Sequence, residues 1–157
     1  FIRHDKSPGH GKLISDIEAI LSKWYTTKTA QDPMMLPGGR QFSPDIIFTD
    51  FDGSSIYLEV ETPKHISTKD LHAKWRNAVE AGGGKVYLAM ETSKEAERLG
   101  YSALRNWSFE AQYPGEIELF VTGRDYLESL NPPKSSRVNI WSARKVIRPT
   151  KQKEMTV

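Results

Sequence analysis

The chain has 157 residues, 38% of them apolar and 27% charged, with a net charge of +2. That length suits one domain with a real core, and the near-neutral balance excludes a global basic field of the kind that announces a nucleic-acid partner. The absence of cysteine excludes disulfides, thiolate zinc sites and cysteine nucleophiles, and is compatible with a cytoplasmic protein. No apolar run reaches the length of a membrane span, and no secretory segment opens the chain. The first residue, Phe1, is not methionine, so the chain reads as one module of something longer.

Residues 1–11, FIRHDKSPGHG, are polar and carry Pro8, Gly9 and Gly11, which predicts a flexible N-terminal segment. Leu13, Ile17, Ile20, Leu21 and Trp24 then recur at helical spacing and predict an amphipathic helix over 12–25. Asp16 lies near its start, where the helix dipole favours an acid. Glu18 flanks the apolar stripe instead of lying opposite it, although a surface glutamate is the ordinary reading of such a residue. Pro33, Pro37, Gly38 and Gly39 break up residues 26–43 and leave room for no more than a short edge strand.

The stretch Ser43 to Lys64, SPDIIFTDFDGSSIYLEVETPK, predicts a β-hairpin. Ile46-Ile47-Phe48 is one strand, Asp52-Gly53 supplies a two-residue turn, and residues 56–61 are the second strand. Thr62-Pro63 stops it, because proline cannot donate to a ladder. Leu71, Trp75, Ala78 and Val79 define one face of a helix over 68–82, capped by Ser67 or Thr68 and ended by Gly82-Gly83-Gly84. Residues 85–90 form the next strand, and a strand–helix–strand crossover makes it parallel to 55–61. A helix over 93–106 follows, with Ala96, Leu99 and Leu104 inward, then a strand over 117–121. A short helix over 124–130, stopped by Pro132-Pro133, and a last strand over 138–141 complete the order. The expected fold class is α/β, a mixed β-sheet flanked by helices. Lys and Arg gather between Lys134 and Lys153, with no acid from Glu128 to Glu154. Such an end suits a polyanion and equally a solvated tail; the preferred reading is a basic C-terminal tail over 142–157.

Glu59 and Glu61 stand two residues apart on a strand and so share one face. Two readings are open. If the sheet has one open face, the pair is its polar side, alternating with Leu58 and Val60. If the crossover helix covers the strand, both carboxylates are buried, which is expensive unless they are paired or hold a cation. With Asp45 they would then make a three-carboxylate end to the hairpin. A hard divalent ion such as Mg²⁺ takes oxygen ligands, and Asp45, Glu59 and the carbonyl of Val60 are the candidates. His65 and His72 do not build a structural zinc site, having neither cysteine nor a close histidine pair beside them.

Pro44-Asp45 at the head of one strand and Glu59-Val60-Glu61 on the next resemble the motif of the PD-(D/E)xK nuclease superfamily. The restriction-endonuclease-like core of that family, α-β-β-β-α-β, follows the order read for residues 12–90, with C-terminal additions here. The resemblance implies a nuclease-like domain over 12–141 that acts as a divalent-metal-dependent DNA endonuclease, with Mg²⁺ or Mn²⁺ as cofactor. It implies Asp45, Glu59 and the Val60 carbonyl as metal ligands, and Glu18 where many members place a further acid. Position 61 departs from the family. The motif lysine, which positions or activates the attacking water, is replaced by Glu61, leaving that residue a ligand or water-positioning role. Lys64 and Lys74 are the candidates for a relocated lysine. Lys69, His72 and Arg76 on the second helix would contact phosphate. The string Glu59 to Lys64, EVETPK, is also similar to segments of replication and conjugation proteins of mobile elements, implying one module of a larger DNA-processing protein. The expected partners are DNA, other domains or subunits of a larger assembly, or a second copy in a homodimer, and no membrane. The alternative is a nuclease-like domain that has lost catalysis and binds DNA or protein.

Overall fold

The computed structural model describes residues 8–29, 32–64, 66, 70–130 and 138–149. The chain opens with helix α1 (Pro8–Leu21), followed by strand β1 (Thr27–Lys28). A small antiparallel pair comes next, β2 (Met34–Met35) and β3 (Gln41–Phe42), joined through a 3₁₀ turn at Pro37–Gly39. Strands β4 (Ile46–Thr49) and β5 (Ser55–Val60), helix α2 (Asp70–Ala81) and strand β6 (Lys85–Met90) form the centre. Helix α3 (Ser93–Glu110), strand β7 (Ile117–Gly123), helix α4 (Arg124–Ser129) and strand β8 (Ala143–Ile147) complete it. Six strands make one mixed sheet in the order β1-β4-β5-β6-β7-β8, which bears out the expected α/β class. β4 and β5 pair antiparallel, and β5 and β6 pair parallel across the α2 crossover, both as the sequence implies.

Alternation along the strands feeds two cores. Ile46 and Phe48 of β4 and Leu58 and Val60 of β5 pack with Leu13, Ile17 and Leu21 of α1 and Leu127 of α4. On the opposite face, Val86, Leu88 and Met90 of β6 and Leu119 and Val121 of β7 pack with Trp75 and Val79 of α2 and Ala96 and Leu104 of α3. The sheet is therefore the middle of three layers. Each fully buried Leu, Ile or Phe contributes roughly 1.5–3 kcal/mol from removal of its side chain from water.

Several local expectations are corrected. Helix α1 starts at Pro8, inside the segment 1–11 expected to be flexible, because proline at the first helical position forfeits no hydrogen bond. It ends at Leu21, so Trp24 lies beyond it, in a turn where its N–H donates to Leu21 O at 3.0 Å. The expected two-residue turn is a loop over 50–54, held by the Asp50 carboxylate accepting from the N–H groups of Asp52 and Ser54, both at 2.9 Å. Gly53 supplies the positive φ of +87° within it. The described residues of 26–43 hold three two-residue strands, and Leu36, just after β2, and Phe42 of β3 pack on Ala78 of α2. Helix α3 runs on to Glu110, and its N-terminus is capped by the Thr92 hydroxyl accepting from Glu95 N–H at 3.2 Å. Gly123 lets α4 start hard against α3, since a Cβ there would fall 2.2 Å from the Ser93 nitrogen. The caps expected for α2, Ser67 and Thr68, lie outside the described residues.

The largest correction is at the C-terminal end. No strand forms over 138–141; the strand is β8, taken from residues expected to belong to a basic tail. Its basic side chains are not solvated at random. Arg144 pairs with Glu118 of β7, and Lys145 Nζ lies 2.9 Å from Glu97 of α3, while Ile147 closes against Ile117. Among the described residues no helix is long and apolar enough to cross a membrane.

Candidate metal centre

The register of the hairpin makes the site. Ile46 stands opposite Leu58, so one step further Asp45 stands opposite Glu59. Asp45 N–H donates to Leu58 O at 3.1 Å, and its carboxylate Oδ2 accepts from Val60 N–H at 2.8 Å. Glu61 follows the end of β5, where its N–H donates to Ala89 O of β6 at 3.0 Å. Three carboxylates thus meet at one end of the sheet, with one oxygen from each lying within 4.8 Å of the others.

The face that carries Glu59 is the one α2 covers, so the open-sheet reading of Glu59 and Glu61 does not hold. Glu59 is 0% exposed and Glu61 3% exposed. Helix α2 brings Lys74 over them: its Nζ lies 2.8 Å from Glu59 Oε1, 2.8 Å from Glu61 Oε2 and 3.9 Å from Asp45 Oδ2. Of Lys64 and Lys74, the two lysines expected near the site, Lys74 is the one at the carboxylates; Lys64 is exposed beyond the end of β5.

Burial pushes the Glu59 carboxyl up to about 8; the ammonium of Lys74 opposes that rise, and the charges of Asp45 and Glu61 add to it. For Lys74, burial alone would lower the pKa, but the charges of Glu59, Asp45 and Glu61 overcome it and hold the ammonium above its ordinary value. Among the described residues, Glu59 Oε2 is buried with no hydrogen-bond partner, and Oε1 is met only by the ion pair with Lys74. One ammonium faces three carboxyl groups, and a cation bound among them would favour the ionised form of Glu59. Hard oxygen donors and the orphaned Glu59 oxygen together make a group that could hold a metal ion.

The other expected site residues fall elsewhere. Glu18 accepts a hydrogen bond from the Thr27 hydroxyl at 3.2 Å, at the β1 end of α1, and is not in the group. The Val60 carbonyl, expected as a ligand, is engaged by His10 Nε2 at 2.6 Å. His72 Nδ1 lies 3.5 Å from Glu110 at the end of α3, and Arg76 is exposed on α2. Lys69 lies outside the described residues. His10 is the residue that sequence reasoning missed. It is 4% exposed, its Nε2 is 4.0 Å from Asp45 Oδ2, and it tethers the start of α1 to the end of β5. Its signal was its place four residues before Ile14 and seven before Ile17, on the buried stripe of α1.

No protein-family profile, no curated protein and no solved structure matches the chain.

Proposed function

We propose that this chain is a divalent-metal-dependent DNA endonuclease domain of the PD-(D/E)xK kind, one module of a larger DNA-processing or mobile-element protein. The observation that carries the reading is the convergence of Asp45, Glu59 and Glu61 under Lys74, whose Nζ is 2.8 Å from both glutamates. Asp45, Glu59 and Glu61 would hold Mg²⁺ or Mn²⁺. When bound, such an ion supplies Lewis-acid polarisation of a phosphate oxygen and makes an attacking water more acidic. The lysine that the motif carries at position 61 is supplied instead from α2 by Lys74. Its ammonium stays protonated and is the only one of the four charged groups with substantial exposure, 23% of its side chain, so it can lean out to a scissile phosphate. Burial of Glu59 and Glu61 excludes bulk water from the donors and strengthens their pull on a cation. Arg76, exposed on the same helix, is available to backbone phosphates, which position a strand without reading its sequence.

A second reading draws on the same ion pairs. Lys74 already offsets part of the carboxylate charge, so the cluster could persist as a structural element in a domain that binds DNA or protein without cutting. Incubation with supercoiled plasmid in Mg²⁺ or Mn²⁺ separates the two. The first reading expects nicking or linearisation that EDTA abolishes and that Asp45→Asn and Glu61→Gln lose. Binding without cleavage favours the second reading, and cleavage retained in both variants removes the site assignment.

A further inference from the structure

Lys74 stands in the way of any ion that would take all three carboxylates. The three ligand oxygens lie within 4.8 Å of one another. The ammonium sits among them, at 2.8, 2.8 and 3.9 Å. A Mg²⁺ ion about 2.1 Å from its oxygens needs much the same volume, and like charges repel strongly at that range in a buried setting. Ammonium and divalent ion are thus rivals for Glu59 and Glu61. Glu59 gives independent support for a vacant ligand position, because it is 0% exposed and its Oε2 has no hydrogen-bond partner among the described residues. The lysine pairs with Oε1 and leaves that second oxygen unserved.

The exit for the ammonium is also defined. The carboxylates are 0–7% exposed on their side chains, whereas Lys74 is 23% exposed, so its flexible stem can carry the charge only towards solvent, where a phosphodiester would arrive. A phosphate there offers the ammonium a new partner and frees the glutamates. We propose that Lys74 is a tethered cation that competes with the divalent ion for Glu59 and Glu61, and that a phosphodiester draws it away, so that metal and substrate load together. This deepens, and rests on, the metal-dependent reading above. Linkage makes the coupling reciprocal: DNA tightens metal binding by the factor by which metal tightens DNA binding.

The test is calorimetric titration of Mn²⁺ into the full chain, wild type and Lys74→Met, each with and without a phosphorothioate-substituted DNA duplex that resists cleavage. Lys74→Met is expected to bind Mn²⁺ about tenfold more tightly than wild type, as removal of one competing charge-assisted contact would give. The duplex is expected to tighten Mn²⁺ binding to wild type and to leave Lys74→Met unchanged. Wild type that binds Mn²⁺ while Lys74→Met binds it no tighter overturns the competition and leaves the metal-dependent reading standing. No Mn²⁺ binding by either protein overturns both. Should Lys74→Met fail to fold, NMR of ¹⁵N-labelled lysine ammonium groups in wild type decides. A slowly exchanging Lys74 signal that saturating Mg²⁺ removes supports the proposal, and one that persists unchanged overturns it.

Discussion

Glu59 makes the metal-free protein less stable as pH rises. Its carboxyl moves from an ordinary 4.5 in the unfolded chain to about 8 in the fold, chiefly through burial. Between those values the native state keeps a proton that the unfolded chain has lost. The contribution is therefore fully present below pH 4.5 and is lost as pH rises to about 8. At about 1.4 kcal/mol per pH unit the full span would be worth about 5 kcal/mol. Relaxation and water entering past Lys74 reduce this to roughly 2–4 kcal/mol. Glu59→Gln keeps the shape and cannot ionise, while Lys74 retains Asp45 and Glu61 as partners. Urea unfolding in EDTA at intervals from pH 5 to 9 is the assay, read as the difference between variant and wild type so that other titrations cancel. The variant should gain on wild type with rising pH, reaching roughly 2–4 kcal/mol above pH 8. A difference that stays constant across the range, or that shrinks with rising pH, would refute the burial argument.

Other perturbations test the scaffold. Leu58→Ala empties a fully buried position of the central strand and should cost about 2–5 kcal/mol in urea unfolding. Gly123→Ala forces a Cβ to 2.2 Å from the Ser93 nitrogen, which is backbone and cannot rotate away, so a loss of about 1–3 kcal/mol is expected by the same measurement. Truncation after Ser142 removes β8 and bares the edge of β7; lower stability and concentration-dependent aggregation should follow in thermal melts and light scattering, whereas a solvated tail would be dispensable. Arg40→Ala breaks the pairing with Glu80 and Asn77 at the rim of α2, where partial exposure limits the cost to about 1 kcal/mol.

Much of this fold can be read in the sequence where periodicity and punctuation agree. Strand β6 has the predicted bounds because Lys85–Met90 is an apolar run closed off by the Gly82-Gly83-Gly84 stop. The acidic trio follows from strand alternation and the hairpin register alone. The failures come from facts that a period does not carry. Pro8, Gly9 and Gly11 read as breakers, yet the first turn of a helix tolerates proline, and with that turn went His10. Glu18 has a plausible helical phase, but it lies eight residues beyond His10, about 12 Å further along an axis that leads away from the carboxylates. Nothing local says which lysine reaches the site. Lys64 is closer in sequence, while Lys74 is delivered by the α2 crossover packing on the Glu59 face. Strand β8 was hidden because its charges look like a tail until β7 and α3 supply Glu118 and Glu97 to meet them.

In the proposed site, Asp45, Glu59 and Glu61 would hold one cation, with Lys74 as the counter-charge in its absence. Anomalous X-ray diffraction from crystals grown in Mn²⁺ tests it most directly. The expected result is an anomalous peak bonded to oxygens of all three carboxylates, with the Lys74 ammonium moved off Glu59 and Glu61 towards solvent. Crystals in which Mn²⁺ binds elsewhere, or in which Lys74 still bridges both glutamates with no peak among them, would contradict it.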